Sequence, residues 1–350
     1  MSAQQTVKPP AAIENVEQLE DLLSDPTERA IECMARVEGD LILLGVGGKI
    51  GPTLARMARR ASDAAGMRRR IFGVSRFSST PAEAQLRQHG IDTIRCDLTD
   101  PAQLDRLPDV PNVVFMAGMK FGSTGNESLT WMTNVFLPGM VCRKFCHSRI
   151  VAFSTGNVYG LAPVARGGSV ESDPLRPVGE YAMSAVGRER ILEHFSQAQR
   201  IPLALLRLNY AHEMRYGVLV DIARAVGAEQ PVDLTMGHFN ALWQGDANAM
   251  ALVAFDHLAS PPRVINLAGA ELLSVRYVAE EFGRLLNRRV VFCGTEAPDA
   301  VLSNGQLGFR LCGDRRIGAQ QMMEWTADWV RRGGECLNKP THFQVRDGIF

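Results

Sequence analysis

Asp40-Leu41-Ile42-Leu43-Leu44-Gly45-Val46-Gly47-Gly48-Lys49-Ile50-Gly51 is the stretch that decides the fold class of this 350-residue chain. An unbroken apolar run ends in glycines spaced G-x-x-G-x-x-G, and Thr53-Leu54-Ala55-Arg56-Met57-Ala58 continues with helical character. Continuous apolarity is what a parallel strand covered on both faces requires. At such a turn the first glycine permits the tight bend and the second lets backbone N–H groups approach a pyrophosphate. The third lets the helix pack against the strand. Gly45, Gly48, Lys49, Ile50 and Gly51 are therefore candidate contacts of a dinucleotide. Glycine-rich turns also arise from packing alone, so the rest of the chain must supply the context.

Working outward, strand-like runs alternate with helical stretches: Ile71–Val74, Thr93–Cys96, Asn112–Met116, Arg149–Phe153 and Pro202–Tyr210. Alternation of this kind predicts an α/β fold, a Rossmann-type doubly wound parallel sheet. Upstream, Ile13, Val16, Leu19, Leu22 and Leu23 recur at helical spacing, and Asp25-Pro26-Thr27-Glu28 offers an N-cap, a first-turn proline and a capping-box glutamate for a second helix. The expected division is an N-terminal helical arm over 1–38, a dinucleotide-binding domain over 39–209, and a smaller substrate-binding lobe with a C-terminal tail over 210–350. The arm is expected to dock on the core or on another subunit.

Composition narrows the function classes. Thirty-eight Lys and Arg balance thirty-eight Asp and Glu, which excludes the basic footprint of a nucleic-acid or membrane-surface binder. Arg68-Arg69-Arg70 reads as a solvated helix end. No apolar run approaches the roughly 20 residues of a membrane span, and the N-terminus lacks a signal-peptide pattern, so the expected location is cytoplasmic. Seven scattered cysteines fit a reducing compartment better than a disulfide framework. Cys142, Cys146 and His147 lack a second cluster that would complete four metal ligands, so no metal site is expected. Cys96 and Cys293 lie in strand-like runs and read as small core residues.

The end of the second strand reads the adenosine ribose in a dinucleotide fold. A carboxylate there accepts hydrogen bonds from a 2′-hydroxyl, whereas an arginine accommodates a 2′-phosphate. Here the strand closes Gly73-Val74-Ser75-Arg76, which favours NADP over NAD through Ser75 and Arg76.

The order of motifs now resembles a family. Gly45/Gly48/Gly51, Asp97-Leu98, Ala117-Gly118, Ser154-Thr155-Gly156-Asn157-Val158-Tyr159-Gly160 and Tyr181-Ala182-Met183-Ser184 follow one another as in the extended short-chain dehydrogenase/reductases, the group containing NAD-dependent sugar epimerases and dehydratases. The similarity spans about residues 40 to 270. It implies that Asp97 and Leu98 flank the adenine, that Ala117 and Gly118 line the ribose-pyrophosphate path, and that Asn134 supports the helix behind the fourth strand. It also implies that Thr155 and Tyr181 are the catalytic pair. Met116-Ala117-Gly118-Met119-Lys120 is similar to the corresponding loop of the family's sugar epimerases, which implies that Lys120 touches the cofactor.

The chemistry explains those residue types. A tyrosine hydroxyl takes or gives the alcohol proton while a nicotinamide takes or gives hydride, and a neighbouring Ser or Thr holds the substrate oxygen in line. A free tyrosine has a pKa near 10, so about one part in 10³ is ionised at neutral pH, and the family lowers it with a lysine four residues on. Here that position is Ala185. Three readings follow. Another cation substitutes, Lys120 before Arg188; different acid–base groups act, from Glu180, His212 or Glu213; or the protein binds dinucleotide without turnover, as a sensor or scaffold.

The second half is expected to hold the substrate. Asn209 ends an Arg-x-Asn run one residue shorter than that of relatives, and Arg215 and Trp243 join it as candidate substrate contacts. Mixed aromatic and polar residues suit a hydroxylated ligand, a sugar, sugar acid or polyol derivative. Taken singly, Trp243 reads as core and Asp246 as the cap of the following helix. Met322–Val330 carries two tryptophans four apart that pack against the lobe, and the tail from Gly333 shows no periodicity. A homodimer through the helices carrying Asn134 and Tyr181 follows the family's habit.

Overall fold

Leu41–Leu44 forms β1, buried at every position. It pairs in parallel with β2 (Ile71–Ser75), which in turn pairs with the edge strand β3 (Asp92–Arg95). On its other side β1 pairs with β4 (Asn112–Phe115), followed outward by β5 (Arg149–Thr155), β6 (Leu203–Leu208) and β7 (Arg263–Leu267). The seven-stranded order is therefore β7-β6-β5-β4-β1-β2-β3, a doubly wound parallel sheet whose direction of winding reverses between β1 and β4. This computed structural model describes residues 9–77, 80–120, 122–313 and 316–349. The first eight residues of the expected arm lie outside the described residues.

Both faces of the sheet are covered, which is why its central strands are apolar throughout. The helices Glu28–Arg36, Gly51–Ala64 and Gln244–Val253 pack together on one face. Leu137–Lys144 and Gly179–Gln199 cover the other. A further core lies among Val218–Gly227, Val275–Leu286 and Ala319–Arg331, where Trp243 and Trp325 stack with ring centroids 5.5 Å apart. Both β7 and the fully buried helix Gln244–Val253 belong to the sheet layers, although they come from the stretch after residue 209.

The arm docks on this chain's own core. Asn248 Nδ2 donates to the Leu23 carbonyl at 3.0 Å, and Arg60 pairs with Asp25 at 3.0 Å. The second helix starts two residues later than its sequence suggests. Thr27, not Asp25, is its N-cap, its hydroxyl accepting from Ala30 N–H at 3.1 Å, because Asp25 is taken by Arg60 and Arg316. Three other expectations are corrected. Arg69 is buried, donating to the Met34 carbonyl, rather than a solvated helix end. Cys293 is exposed, since its strand Val291–Cys293 pairs only with Pro231–Asp233 in a small outer ribbon. Asp246 caps no helix: its carboxylate accepts from the backbone N–H groups of Arg316 and Ile317 and pairs with the Arg316 guanidinium.

Candidate functional site

The glycine turn divides its demands residue by residue. Gly45 has φ +94°, and a Cβ there would stand 2.6 Å from the Ala117 nitrogen; on Gly51 it would stand 2.2 Å from the Val46 carbonyl oxygen. Both positions are closed by the protein itself. Gly48 differs, because its nearest neighbour would be the Gly45 carbonyl at 3.5 Å, an ordinary contact. Among the described residues nothing crowds this position, and its outer face is exposed. The helix Gly51–Ala64 begins without any side-chain cap, so no side chain takes up the N–H groups at its start. This donor set fits a dinucleotide pyrophosphate, with Gly48, Lys49, Ile50 and Gly51 as the residues that would hold it. Gly47 was not singled out by the spacing, yet a Cβ on it would meet Ser75 Oγ at 2.4 Å. The doublet Gly47-Gly48 was the signal for this close approach of the turn to β2.

Arg76 follows β2 and is exposed beside Asp97. Asp97 accepts from Thr99 Oγ1 at 2.6 Å and from Thr99 N–H at 3.0 Å, and those bonds hold its carboxyl below the usual range. Leu98 is buried behind it. Across the turn, Asn134 pins the loop after β4: its Oδ1 accepts from Met119 N–H at 2.8 Å, and its Nδ2 donates to the Met119 carbonyl at 2.8 Å and to Ser184 Oγ at 2.9 Å. Asn134 lies in a π-helical turn, Met132–Phe136, a distortion frequent at functional sites. It thus ties the Ala117–Lys120 loop to the helix that carries Tyr181, more than it supports a helix.

Thr155 ends β5 and Tyr181 lies in the first turn of Gly179–Gln199, and the two side chains are hydrogen-bonded. Burial raises the Tyr181 pKa above the ordinary tyrosine value, while the Thr155 hydrogen bond and the charge of Arg188 pull it back. Lys120 Nζ is 5.8 Å from the centre of the Tyr181 ring, and burial lowers its pKa to about 8. Ala185 packs against Val158 and Tyr159, so the position of the family's lysine is apolar.

Arg188, seven residues beyond Tyr181 and hence on the same helix face, reaches further in than two helical turns suggested. Its Nη1 donates to the Phe153 carbonyl at 3.0 Å, its Nη2 to the Ala117 carbonyl, and its guanidinium lies 4.8 Å from the Phe115 ring centre. Burial depresses its pKa to about 10, with Tyr181 and Glu189 acting in the opposite sense. The same helix is anchored by a buried pair, Arg207 to Glu189 at 2.7 Å.

The alternative acid–base groups are occupied elsewhere. Glu180 accepts from Trp131 Nε1 at 2.6 Å on the surface. His212 is buried, with Nε2 3.0 Å from Thr326 Oγ1, and burial then Lys49 lower its pKa to about 3. Because Thr326 already donates to the Met322 carbonyl at 2.7 Å, Nε2 carries the His212 proton. Glu213 is 0% exposed and bound to Arg215.

Two expected substrate contacts are engaged by the protein itself. Arg215 is clamped between Glu213 and Glu20, each at 3.1 Å, because the docked arm supplies a carboxylate invisible in the local spacing. Trp243 is 1% exposed and stacked on Trp325, which corrects its reading as a substrate contact in favour of core. Asn209 is buried against Gly156 at the end of β5, its Nδ2 without a partner, and Ser303 Oγ lies unpartnered against the same glycine. Ser303, distant in sequence and in no motif, gave no signal. The tail crosses the lobe, with Thr341 donating to Asp221 and Gly348 packing against Gly179 at the start of the Tyr181 helix.

The geometry has known counterparts. Residues 41–211 match a family model described as the NAD dependent epimerase/dehydratase family. Among solved structures, MoeE5 in complex with UDP-glucose and NAD is 18% identical, with a TM-score of 0.68 over 84% of this chain and 99% of that one. UDP-glucuronic acid 4-epimerase from Bacillus cereus, in complex with NAD, is 15% identical, with a TM-score of 0.69 over 85% and 99%. dTDP-glucose 4,6-dehydratase from Bacillus anthracis, in complex with NAD, is 15% identical, with a TM-score of 0.71 over 84% and 97%. These likenesses show the shared fold. No curated protein sequence matches the chain.

Proposed function

We propose, from the match of residues 41–211 to the model of the NAD dependent epimerase/dehydratase family, that the protein is a nicotinamide-dependent oxidoreductase, with NADP preferred, acting on a sugar, sugar acid or polyol derivative. The observation that carries the reading is the hydrogen-bonded Thr155–Tyr181 pair at the strand ends beside a glycine turn open at Gly48. When bound, the nicotinamide supplies hydride exchange at a carbinol carbon. Tyr181 takes the alcohol proton during oxidation and returns it during reduction. Thr155 donates a hydrogen bond to the substrate oxygen and fixes its approach. Lys120 stands in for the family's lysine by favouring the Tyr181 phenolate, and Arg188 acts from behind as a positioning cation for the Ala117-Gly118 loop. Ser75 and Arg76 receive the adenosine ribose, Arg76 offering its guanidinium to a 2′-phosphate. Asp97, Leu98, Ala117 and Gly118 line the remaining cofactor path, and Asn209 contacts the substrate.

Transient oxidation gives epimerisation or dehydration, and net oxidation gives a dehydrogenase. The second reading is a catalytically silent NADP(H)-binding sensor or scaffold, favoured by the apolar packing of Ala185 on Val158 and Tyr159. All seven cysteines are unpaired, which supports a reducing, cytoplasmic setting. Leu129, Phe136 (59% exposed) and Met183 give the helices around Asn134 and Tyr181 an apolar outer surface, which supports a homodimer through that face. Sedimentation of the full chain tests the homodimer.

Titration with NADPH and NADH followed by turnover assays on a sugar and sugar-acid panel tests the reading. Binding with turnover supports the enzyme; binding without turnover across the panel favours the sensor. For Lys120, a Lys120→Ala variant that retains turnover within a few-fold removes it from the mechanism, because an essential cation on tyrosine is worth about two decades.

A further inference from the structure

Two amines from separate loops lie within electrostatic reach of each other, Lys120 at the Tyr181 ring and Lys49 at the Tyr216 ring. Lys49 leaves the glycine turn and Lys120 the loop after β4, and their charges repel. The backbone of Lys49 belongs to the pyrophosphate turn, but its side chain runs towards the segment after β6. There Nζ lies 3.3 Å from the Tyr216 ring centre and donates one long hydrogen bond, 3.4 Å, to the Ala211 carbonyl. An ammonium has three donors. The carboxylates facing it are already engaged: Glu213 accepts from Arg215 N–H and Nε, and Asp221 from Thr341 N–H and Oγ1. Among the described residues, the other charged groups acting most strongly on Lys49 are the cations Lys120 and Arg215, and the neutral His212 imidazole also faces it. Tyr216 holds the ammonium in place through its ring face, so little side-chain entropy remains to be lost on binding an anion. A half-buried amine confronted by a second cation is stabilised most by a charge-assisted hydrogen bond to an oxyanion.

We propose that Lys49, with Lys120 opposite, binds a compact oxyanion of the substrate, a carboxylate or a phosphate, next to the carbon presented to Thr155 and Tyr181. The inference rests on the functional reading above and narrows its substrate class to acids: a sugar acid or a sugar phosphate, not a neutral polyol. It makes Lys49 a specificity-determining residue, separate from the proton transfer at Tyr181.

Calorimetric titration of the full chain with glucuronate, glucose 6-phosphate and glucose, with and without NADPH, tests this directly. The expected result is that one of the two anions binds at least about tenfold more tightly than glucose, as a charge-assisted hydrogen bond allows. Whichever anion it is distinguishes carboxylate from phosphate. Lys49→Met abolishes the preference and Lys49→Arg restores it, while an unchanged thermal melt reports that both variants are folded. Equal affinities for all three probes in the native protein, including no binding of any, overturn the proposal. So does a Lys49→Met variant that keeps the anion preference and loses only NADPH affinity, which assigns the side chain to the cofactor. Failure of the parent reading is separate and visible in the same titration, as absence of NADPH and NADH binding.

Discussion

The glycine turn after β1 and the helix that carries Tyr181 are built in opposite ways. The turn is a backbone device: Gly45 and Gly51 are fixed by atoms at most a few ångströms away, while Gly48 is left open. The Tyr181 helix is a side-chain device assembled from distant segments, with Thr155 from β5, Lys120 from the loop after β4 and Arg188 from two turns further along. Its one local requirement, a lysine four residues on, is replaced by Ala185 in an apolar setting. A backbone site tolerates little variation in sequence, whereas a charge can be supplied from any element that reaches the same point.

Removing the proposed proton carrier is the sharpest way to break this comparison. Tyr181→Phe is expected to lower turnover by about 10²- to 10⁴-fold with little change in NADPH affinity, measured by steady-state kinetics and fluorescence titration. On the backbone side, Gly51→Val places new atoms against the Val46 carbonyl and is expected to cost about 3 kcal/mol or more in denaturant unfolding. Gly48→Ala is its counterpart. It is expected to leave stability within about 1 kcal/mol while weakening NADPH binding, and equal stability losses in the two variants would erase the distinction.

The charged side of the comparison is read through pH. Lys120 loses its proton above about 8, so turnover that depends on its charge falls as pH rises through that value. Lys120→Arg moves the alkaline limb upward, because a guanidinium stays protonated. A buried His212 with its pKa lowered to about 3 acts on stability instead. The unfolded chain binds a proton near 6.5 that the folded protein refuses, so stability falls as pH drops below 6.5 and continues to fall until the folded value. Between pH 7 and pH 5 the expected loss is about 2 kcal/mol by linkage, absent in a folded His212→Gln variant. The smallest effect concerns the cofactor alone: Arg76→Ala is expected to reduce the NADPH-over-NADH preference by about tenfold, one exposed charge-assisted contact.

How much was legible follows the same division. The parallel, doubly wound sheet was readable from the alternation of helices with apolar runs such as Leu41–Leu44 and Asn112–Phe115, because a strand covered on both faces has only one composition open to it. The strand β7 and the buried helix Gln244–Val253 were not assigned to the sheet layers, since apolar runs record burial and not the neighbour that provides it. Arg215 looked like a ligand contact until Glu20 of the arm closed on it, and Trp243 until Trp325 did. Arg188 was discounted for its sequence distance from Tyr181, although two full helical turns return a side chain to the same face.

The sequence by itself determined the turn, the strand pattern and the chemistry available at Thr155, Tyr181 and Lys120, because spacing and residue type act over a few residues and survive in any fold that contains them. Only the tertiary structure decided which charges face one another. Lys49 feels the charge of Lys120, Glu213 and Glu20 hold Arg215, and Ala185 turns to Val158 and Tyr159. Electrostatic and packing energies depend on distance in space, and a linear order of residues carries that distance only after the chain has folded.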